Sequence, residues 1–256
     1  MTAFTLSRRL RAGETVYTSW CSLPSPLVAE TIAQAGFSSI VIDQQHGLWD
    51  TGTTLAAVTA VRQGGAAAVV RIPVGAFATV SRALDFGAEA VIAPMINTAA
   101  DARALVAAAK YPPVGERSWG PHRALMLAGT SGIKDYLHNA NDLTLTLAMI
   151  ETAVALDNAE AIAATDGIDA LFVGPWDLSI ALSRGADIDP NLPAVDRALD
   201  HVLAAAAKAG KFAGLYCADA AEGLAAARRG FRFLSVGGDL GYLRAGAAAQ
   251  VKALGG

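Results

Sequence analysis

Apolar residues in this chain fall into two alternating patterns. Short runs rich in Val, Ile, Leu and Ala, bounded by Gly, Pro, Asn or Asp, read as buried parallel strands. Longer segments with apolar positions every three or four residues read as the helices that cover them. The runs predict strands over residues 15–22, 38–43, 67–72, 89–93, 143–152, 169–173, 211–216 and 232–236. Helices are expected over 26–34, 51–62, 77–85, 98–110, 153–165, 192–208 and 220–229, and from Tyr242 onward, with a short one near the N-terminus. The helix over 26–34 carries its own punctuation: Ser25 caps it, Pro26 takes the first helical position and Gly36 stops it.

Eight strands, each followed by a helix, in 256 residues without a linker predict a single (β/α)8 barrel over 1–256, with a doubly wound sheet as the alternative. The rhythm breaks once. Residues 111–127 mix Pro, Gly, Arg, Trp and His with little periodicity, which marks a candidate active-site loop, and a short helix is expected near 134–139.

In such a barrel the active-site groups come from the strand ends. That rule selects Ser19, Ser22, Asp43 with His46, Arg71, Asn97, Glu151, Asp177 and Asp239. Glu151 closes the run Leu143 to Ile150, where an unpartnered carboxylate is costly. Glu151 and Asp177 end successive strands and repel each other unless one is protonated or a cation lies between them. Two protein oxygens plus waters suit magnesium or manganese, with cobalt a further candidate. A zinc site would recruit His or Cys at spacings this chain lacks. A glycosidase carboxylate pair is the rival, but it leaves Arg71 and His46 without a role. Asp43, three residues before His46, is expected to orient the imidazole and raise its basicity, as a general base needs. Arg71 suits stabilisation of an oxyanion. The turns Gly174-Pro175 and Gly237-Gly238 offer backbone amides to a substrate carboxylate or phosphate. No lysine stands at a strand end, so a Schiff base is disfavoured, and no nucleotide-binding pattern occurs.

Charge and composition narrow the partners. A net charge of −3 with scattered Lys and Arg leaves no footprint for nucleic acid, and no run is long and apolar enough for a membrane span. Cys21 and Cys217 read as reduced thiols, and with no export signal the expected location is cytoplasmic.

The motifs Asp43-x-x-His46-Gly47, Val70-Arg71-Ile72-Pro73, Leu84-Asp85-Phe86-Gly87-Ala88, Ile92-Ala93-Pro94-Met95, Ile150-Glu151-Thr152, Phe172-Val173-Gly174-Pro175-Trp176-Asp177-Leu178-Ser179 and Val236-Gly237-Gly238-Asp239 together resemble the HpcH/HpaI family of class II, metal-dependent pyruvate aldolases. The resemblance runs through nearly the whole chain and implies a barrel of the phosphoenolpyruvate/pyruvate-binding type. It implies reversible aldol cleavage of a 4-hydroxy-2-oxo acid to pyruvate or hydroxypyruvate and an aldehyde. Glu151 and Asp177 look like the metal ligands, and the backbone at Gly174, Trp176 and Asp177 looks like the holder of the oxo-acid carboxylate. His46 with Asp43 looks like the base, and Arg71 like the group that polarises the keto oxygen. Asp85 matches an acid that reaches a neighbouring subunit's site, which implies a homo-hexamer, with the C-terminal helix exchanged between copies. Three departures bear on the substrate: Met149 stands where relatives often carry Gln, Gln45 where they often carry Glu, and Trp176 where Ala is frequent. Arg117 and Arg123 are candidates to meet an anionic aldehyde. The alternatives are a coenzyme A thioester lyase of the malyl or citramalyl type, and a barrel that binds an oxo acid without turnover.

Overall fold

The computed structural model describes residues 3–255. Parallel strands β1 (Val16–Cys21), β2 (Ser39–Asp43), β3 (Ala67–Arg71), β4 (Ala90–Ala93), β5 (Leu145–Ile150), β6 (Ala170–Val173), β7 (Phe212–Cys217) and β8 (Phe233–Gly238) pair in sequence order and close through β8 and β1. The helices among the described residues are α1 (Leu6–Arg11), α2 (Pro26–Gln34), α3 (Thr51–Gln63), α4 (Ala78–Asp85), α5 (Ala99–Ala109), α6 (His122–Leu127), α7 (Ile133–Leu143), α8 (Ala153–Asp157), α9 (Ala159–Ala163), α10 (Pro175–Leu182), α11 (Pro193–Lys208), α12 (Ala220–Arg229) and α13 (Asp239–Ala253). The fold is thus the expected (β/α)8 barrel, and closure excludes the doubly wound sheet.

Several boundaries differ for local reasons. The helix expected over 153–165 breaks at Asn158, whose amide Nδ2 donates to the carbonyls of Asn97 and Val154, each at 3.0 Å. The last helix starts at Asp239, ahead of Tyr242, because the carboxylate of Asp239 accepts the Leu240 N–H at 2.8 Å. Helix α10 was not anticipated. It begins directly after β6, with Pro175 in its first turn supplying a fixed φ where no N–H is needed.

Alternate strand residues point inward, and large rings fill the barrel. Phe172 stacks on Trp20 at 5.9 Å and meets Phe233 at 6.1 Å. Gly214 is small because a Cβ there would lie 2.6 Å from the Phe172 ring and 2.7 Å from the Phe233 carbonyl. Leu6 and Leu10 of α1 join this inner cluster, so α1 plugs the N-terminal end of the barrel. Each buried leucine contributes about 1.5–3 kcal/mol. Glu89 anchors the plug, accepting the N–H groups of Thr5 and Leu6 at 2.8 and 2.9 Å while pairing with buried Arg62 at 2.7 Å. With that end sealed and the interior full, a small molecule meets the barrel at the carboxyl ends of the strands.

The segment over 111–127 does not border the mouth of its own barrel. It connects α5 to β5 and therefore lies at the N-terminal end, opposite the mouth. There Tyr111, Leu127 and Ala128 pack with Phe4, Tyr136 and Ala140 in a separate apolar cluster. Arg117 is buried, pairs with Asp85 at 2.6 Å and stands 4.7 Å over the Tyr111 ring. Arg123 donates to the Phe86 carbonyl at 3.0 Å and to Thr59 at 2.7 Å, tying α4 to α3. Both arginines stabilise this end of the barrel, contrary to their expected place at the aldehyde.

Candidate active site

The strand register brings Asp43 directly beside Arg71 across β2 and β3. Both face the barrel mouth, and the guanidinium grips the carboxylate with two bonds, Nε to Oδ1 at 2.8 Å and Nη2 to Oδ2 at 2.7 Å. Trp20 completes the cluster: its indole N–H donates to Asp43 at 3.2 Å, and the Arg71 guanidinium lies 4.8 Å over its ring. Burial pushes the Asp43 carboxyl up, but the hydrogen bonds and charge of Arg71 outweigh it and hold Asp43 below the usual carboxylate range.

The expected contact between Asp43 and the His46 imidazole is therefore corrected. Asp43 accepts the backbone N–H groups of Gln45 at 3.0 Å and His46 at 3.3 Å, so it shapes the turn while its charge belongs to Arg71. Gly47 closes that turn, since a Cβ there would collide with the Asp43 carbonyl oxygen. The result presents exposed His46 at the wall of the same cavity as Arg71.

That cavity, of about 280 Å³, is lined by Trp20, Ser22, Asp43, His46, Arg71, Met149, Gly174, Pro175, Trp176, Asp177 and Tyr216. Six strand ends meet here, as the strand-end rule requires. Glu151 sits immediately behind the Gly174 wall: a Cβ on Gly174 would stand 2.9 Å from its Oε2 and 2.6 Å from the Met149 Cε. Only glycine keeps the main chain this close to the carboxylate.

Glu151 is 2% exposed, and its Oε1 accepts one backbone N–H, from Met95 at 2.7 Å. Met95 adopts φ 55°, a left-handed conformation unfavourable for a residue with a Cβ. Burial pushes the Glu151 carboxyl up to about 7, and the charge of Asp177 adds to the rise. The Met95 N–H and the Arg71 charge offset it only in part. Asp177 is exposed in the first turn of α10, where the helix dipole favours an anion. The donor chemistry fits a hard divalent cation: two carboxylates, one buried with a single hydrogen bond and both short of positive charge. No group of three His, Cys, Asp or Glu able to hold a metal occurs among the described residues, so water and substrate would supply the remaining oxygens.

Other selected residues are structural. Asp239 is buried and accepts the N–H groups of Ser22 and Leu23 at 2.8 and 2.7 Å, fixing the turn after β1. Ser19 donates to the Tyr242 hydroxyl at 3.3 Å, and Asn97 accepts from Thr152 at 2.5 Å. Lys110 is buried at the barrel's sealed end against Asp169 at 2.7 Å, and no lysine lines the mouth cavity. Asp85, at the end of α4, also lies at the sealed end, beside Arg117. The sequence reading missed Trp20, Met95 and Tyr216. Trp20 and Tyr216 share the inward parity of their strands with the interior residues, a signal that was available at every strand end.

Comparison with known proteins returns one family model, HpcH/HpaI aldolase/citrate lyase, over residues 17–245. Hydroxypyruvate/pyruvate aldolase of Rhizorhabdus wittichii is 38% identical over 93% of this chain and 93% of that protein. The 5-keto-4-deoxy-D-glucarate aldolase of Klebsiella pneumoniae is 37% identical over 88% of this chain and 86% of its own. Among solved structures, an HpcH/HpaI aldolase from Desulfitobacterium hafniense superimposes with a TM-score of 0.90 at 31% identity, covering 98% of this chain and 97% of that one.

Proposed function

The chain belongs to the HpcH/HpaI aldolase/citrate lyase family, and from that premise we propose that it is a class II aldolase, a carbon–carbon lyase that reversibly cleaves a 4-hydroxy-2-oxo acid to pyruvate or hydroxypyruvate and an aldehyde. One observation carries the reading. A buried carboxylate, Glu151, lies behind the Gly174 wall of a strand-end mouth lined by Asp177, an arginine and a histidine, and that arginine forms its ion pair with Asp43 instead.

Glu151 and Asp177 would hold the divalent ion, magnesium or manganese. Such an ion withdraws electron density from a 2-oxo acid and so favours its enolate. The residues of the chain do the rest. The N–H groups of Trp176 and Asp177, in the first turn of α10 at the cavity lining, would serve as donors for the oxo-acid carboxylate. Arg71 spends Nε and Nη2 on Asp43, which fixes the plane of the guanidinium and leaves Nη1 for the keto oxygen. His46, in the same cavity lining, takes the proton of the 4-hydroxyl in cleavage, or of the methyl carbon in addition. Asp43 acts on both by holding Arg71 and the His46 backbone. Met149, packed beside Gly174, borders the oxo acid with a thioether that offers no strong hydrogen bond.

Asp85 cannot serve its own mouth from the sealed end, which supports a role at a neighbouring copy's site. The C-terminal helix α13 supports an assembly as well: Leu243 and Val251 are 53% and 58% exposed on it, and Leu254 just past its end is 89% exposed. Exchange of this helix within a homo-hexamer would cover them. Two buried free thiols, Cys21 and Cys217, fit a cytoplasmic location, and no described helix is long and apolar enough to cross a membrane.

The test is pyruvate in D2O with added magnesium or manganese, following loss of the methyl proton signal. Exchange that stops on EDTA addition is expected. Absence of exchange with metal present would refute the enolate mechanism, and exchange that survives EDTA would refute the metal's part in it.

A further inference from the structure

We propose that the aldehyde taken by this site is uncharged and is seated against an aromatic wall of Trp20, Trp176 and Tyr216; the inference rests on the aldol reading above. The space for it comes first. The mouth cavity shares Trp20, Ser22, Trp176 and Tyr216 with a second, adjoining cavity of about 700 Å³. Tyr216 stands edge-on to Trp20 at 5.3 Å, so the two rings form a continuous aromatic surface. Trp176 is 39% exposed in the first turn of α10, so its ring remains free to cover a bound molecule.

Charge then decides what the wall accepts. Asp219 and Asp239 line the second cavity, and no arginine or lysine among the described residues does; in the mouth cavity Arg71 is already gripped by Asp43. Asp219 caps α12 by accepting the Glu222 N–H at 2.9 Å, and it carries no paired cation among the described ion pairs. A carboxylate-bearing aldehyde would bring a second anion to a wall without a free cation and would lose hydration there. Within their own chain neither Arg117 nor Arg123 reaches this wall, since both are tied down at the other end of the barrel. An uncharged aldehyde gives up little hydration and gains ring contacts.

The experiment uses the metal-loaded enzyme at saturating pyruvate and compares kcat/KM for 4-oxobutanoate with that for its neutral amide, 4-oxobutanamide, and for phenylacetaldehyde. The amide is expected to exceed the acid at least tenfold, with phenylacetaldehyde at or above the amide. Tyr216→Lys is expected to narrow the acid-to-amide gap about tenfold; if that variant does not fold, the native enzyme's ratio decides alone. A kcat/KM for the acid equal to or above that for the amide overturns the proposal. Pyruvate methyl exchange in D2O without aldehyde separates the two levels. Exchange together with a preference for the acid overturns the acceptor proposal alone, and no exchange overturns the aldol reading with it.

Discussion

Glu151→Gln probes a buried carboxylate that forms no ion pair within the chain. The gap between the ordinary value of 4.5 and about 7 for Glu151, at about 1.4 kcal/mol per pH unit, makes its ionisation cost the folded state about 3 kcal/mol. The sign follows from proton counting. Between pH 4.5 and 7 the folded chain holds a proton on Glu151 that the unfolded chain has released, so stability falls as pH rises through this window and levels off above it. The glutamine variant keeps an oxygen for the Met95 N–H but cannot ionise, so its profile lacks this slope. Urea unfolding in EDTA, measured for both proteins from pH 4 to pH 8.5, reads the difference directly. Native protein is expected to lose about 3 kcal/mol relative to the variant across the window. Saturating manganese should restore that loss in the native protein alone and release about one proton per site near pH 6, since a ligating carboxylate must be ionised. Equal slopes for the two proteins in EDTA would refute the assignment of Glu151 as a desolvated, unpaired carboxylate.

Two further outcomes follow from the same geometry. Arg71→Lys keeps a positive charge but loses the fork that grips Asp43 through two nitrogens, so kcat for aldol cleavage should fall about 10²-fold while circular dichroism stays native. Gly174→Ala drives a methyl group toward the Met149 Cε and the Glu151 Oε2, and is expected to cost about 1–3 kcal/mol; adding Met149→Ala should recover part of this, and strictly additive losses in urea unfolding would contradict the packing described.

The barrel was legible because each strand is a compact apolar run and each helix carries a longer period, and closure follows from eight such units in order. The segment over 111–127 was misplaced for a physical reason. Low periodicity marks irregular chain but carries no information about which end of a barrel it occupies. Chain order does: a segment after a helix and before a strand lies at the N-terminal end, where Arg117 and Arg123 were then found tied down. The strand-end rule found Asp43, Arg71, Glu151 and Asp177, because parity and position are written in the sequence. It passed over Trp20 and Tyr216 because only polar side chains were admitted. Met95 stood only at the end of the motif Ile92-Ala93-Pro94-Met95, with no role legible from its side chain, since what it supplies is a main-chain N–H in a left-handed turn.

The partner of Asp43 shows how strand register governs the chemistry. Sequence spacing favours a local contact with His46, three residues away, but β2 and β3 run side by side and place Asp43 against Arg71. A guanidinium in this mouth could otherwise turn to Glu151, whose carboxyl already feels its charge. Paired that way, Glu151 would be held ionised by the protein itself and would have little to offer a metal ion. By engaging Nε and Nη2, Asp43 prevents that pairing and keeps one guanidinium edge directed to substrate. If Glu151 and Asp177 hold a divalent ion as proposed, their affinity for it is thus set partly by a residue that would not touch it.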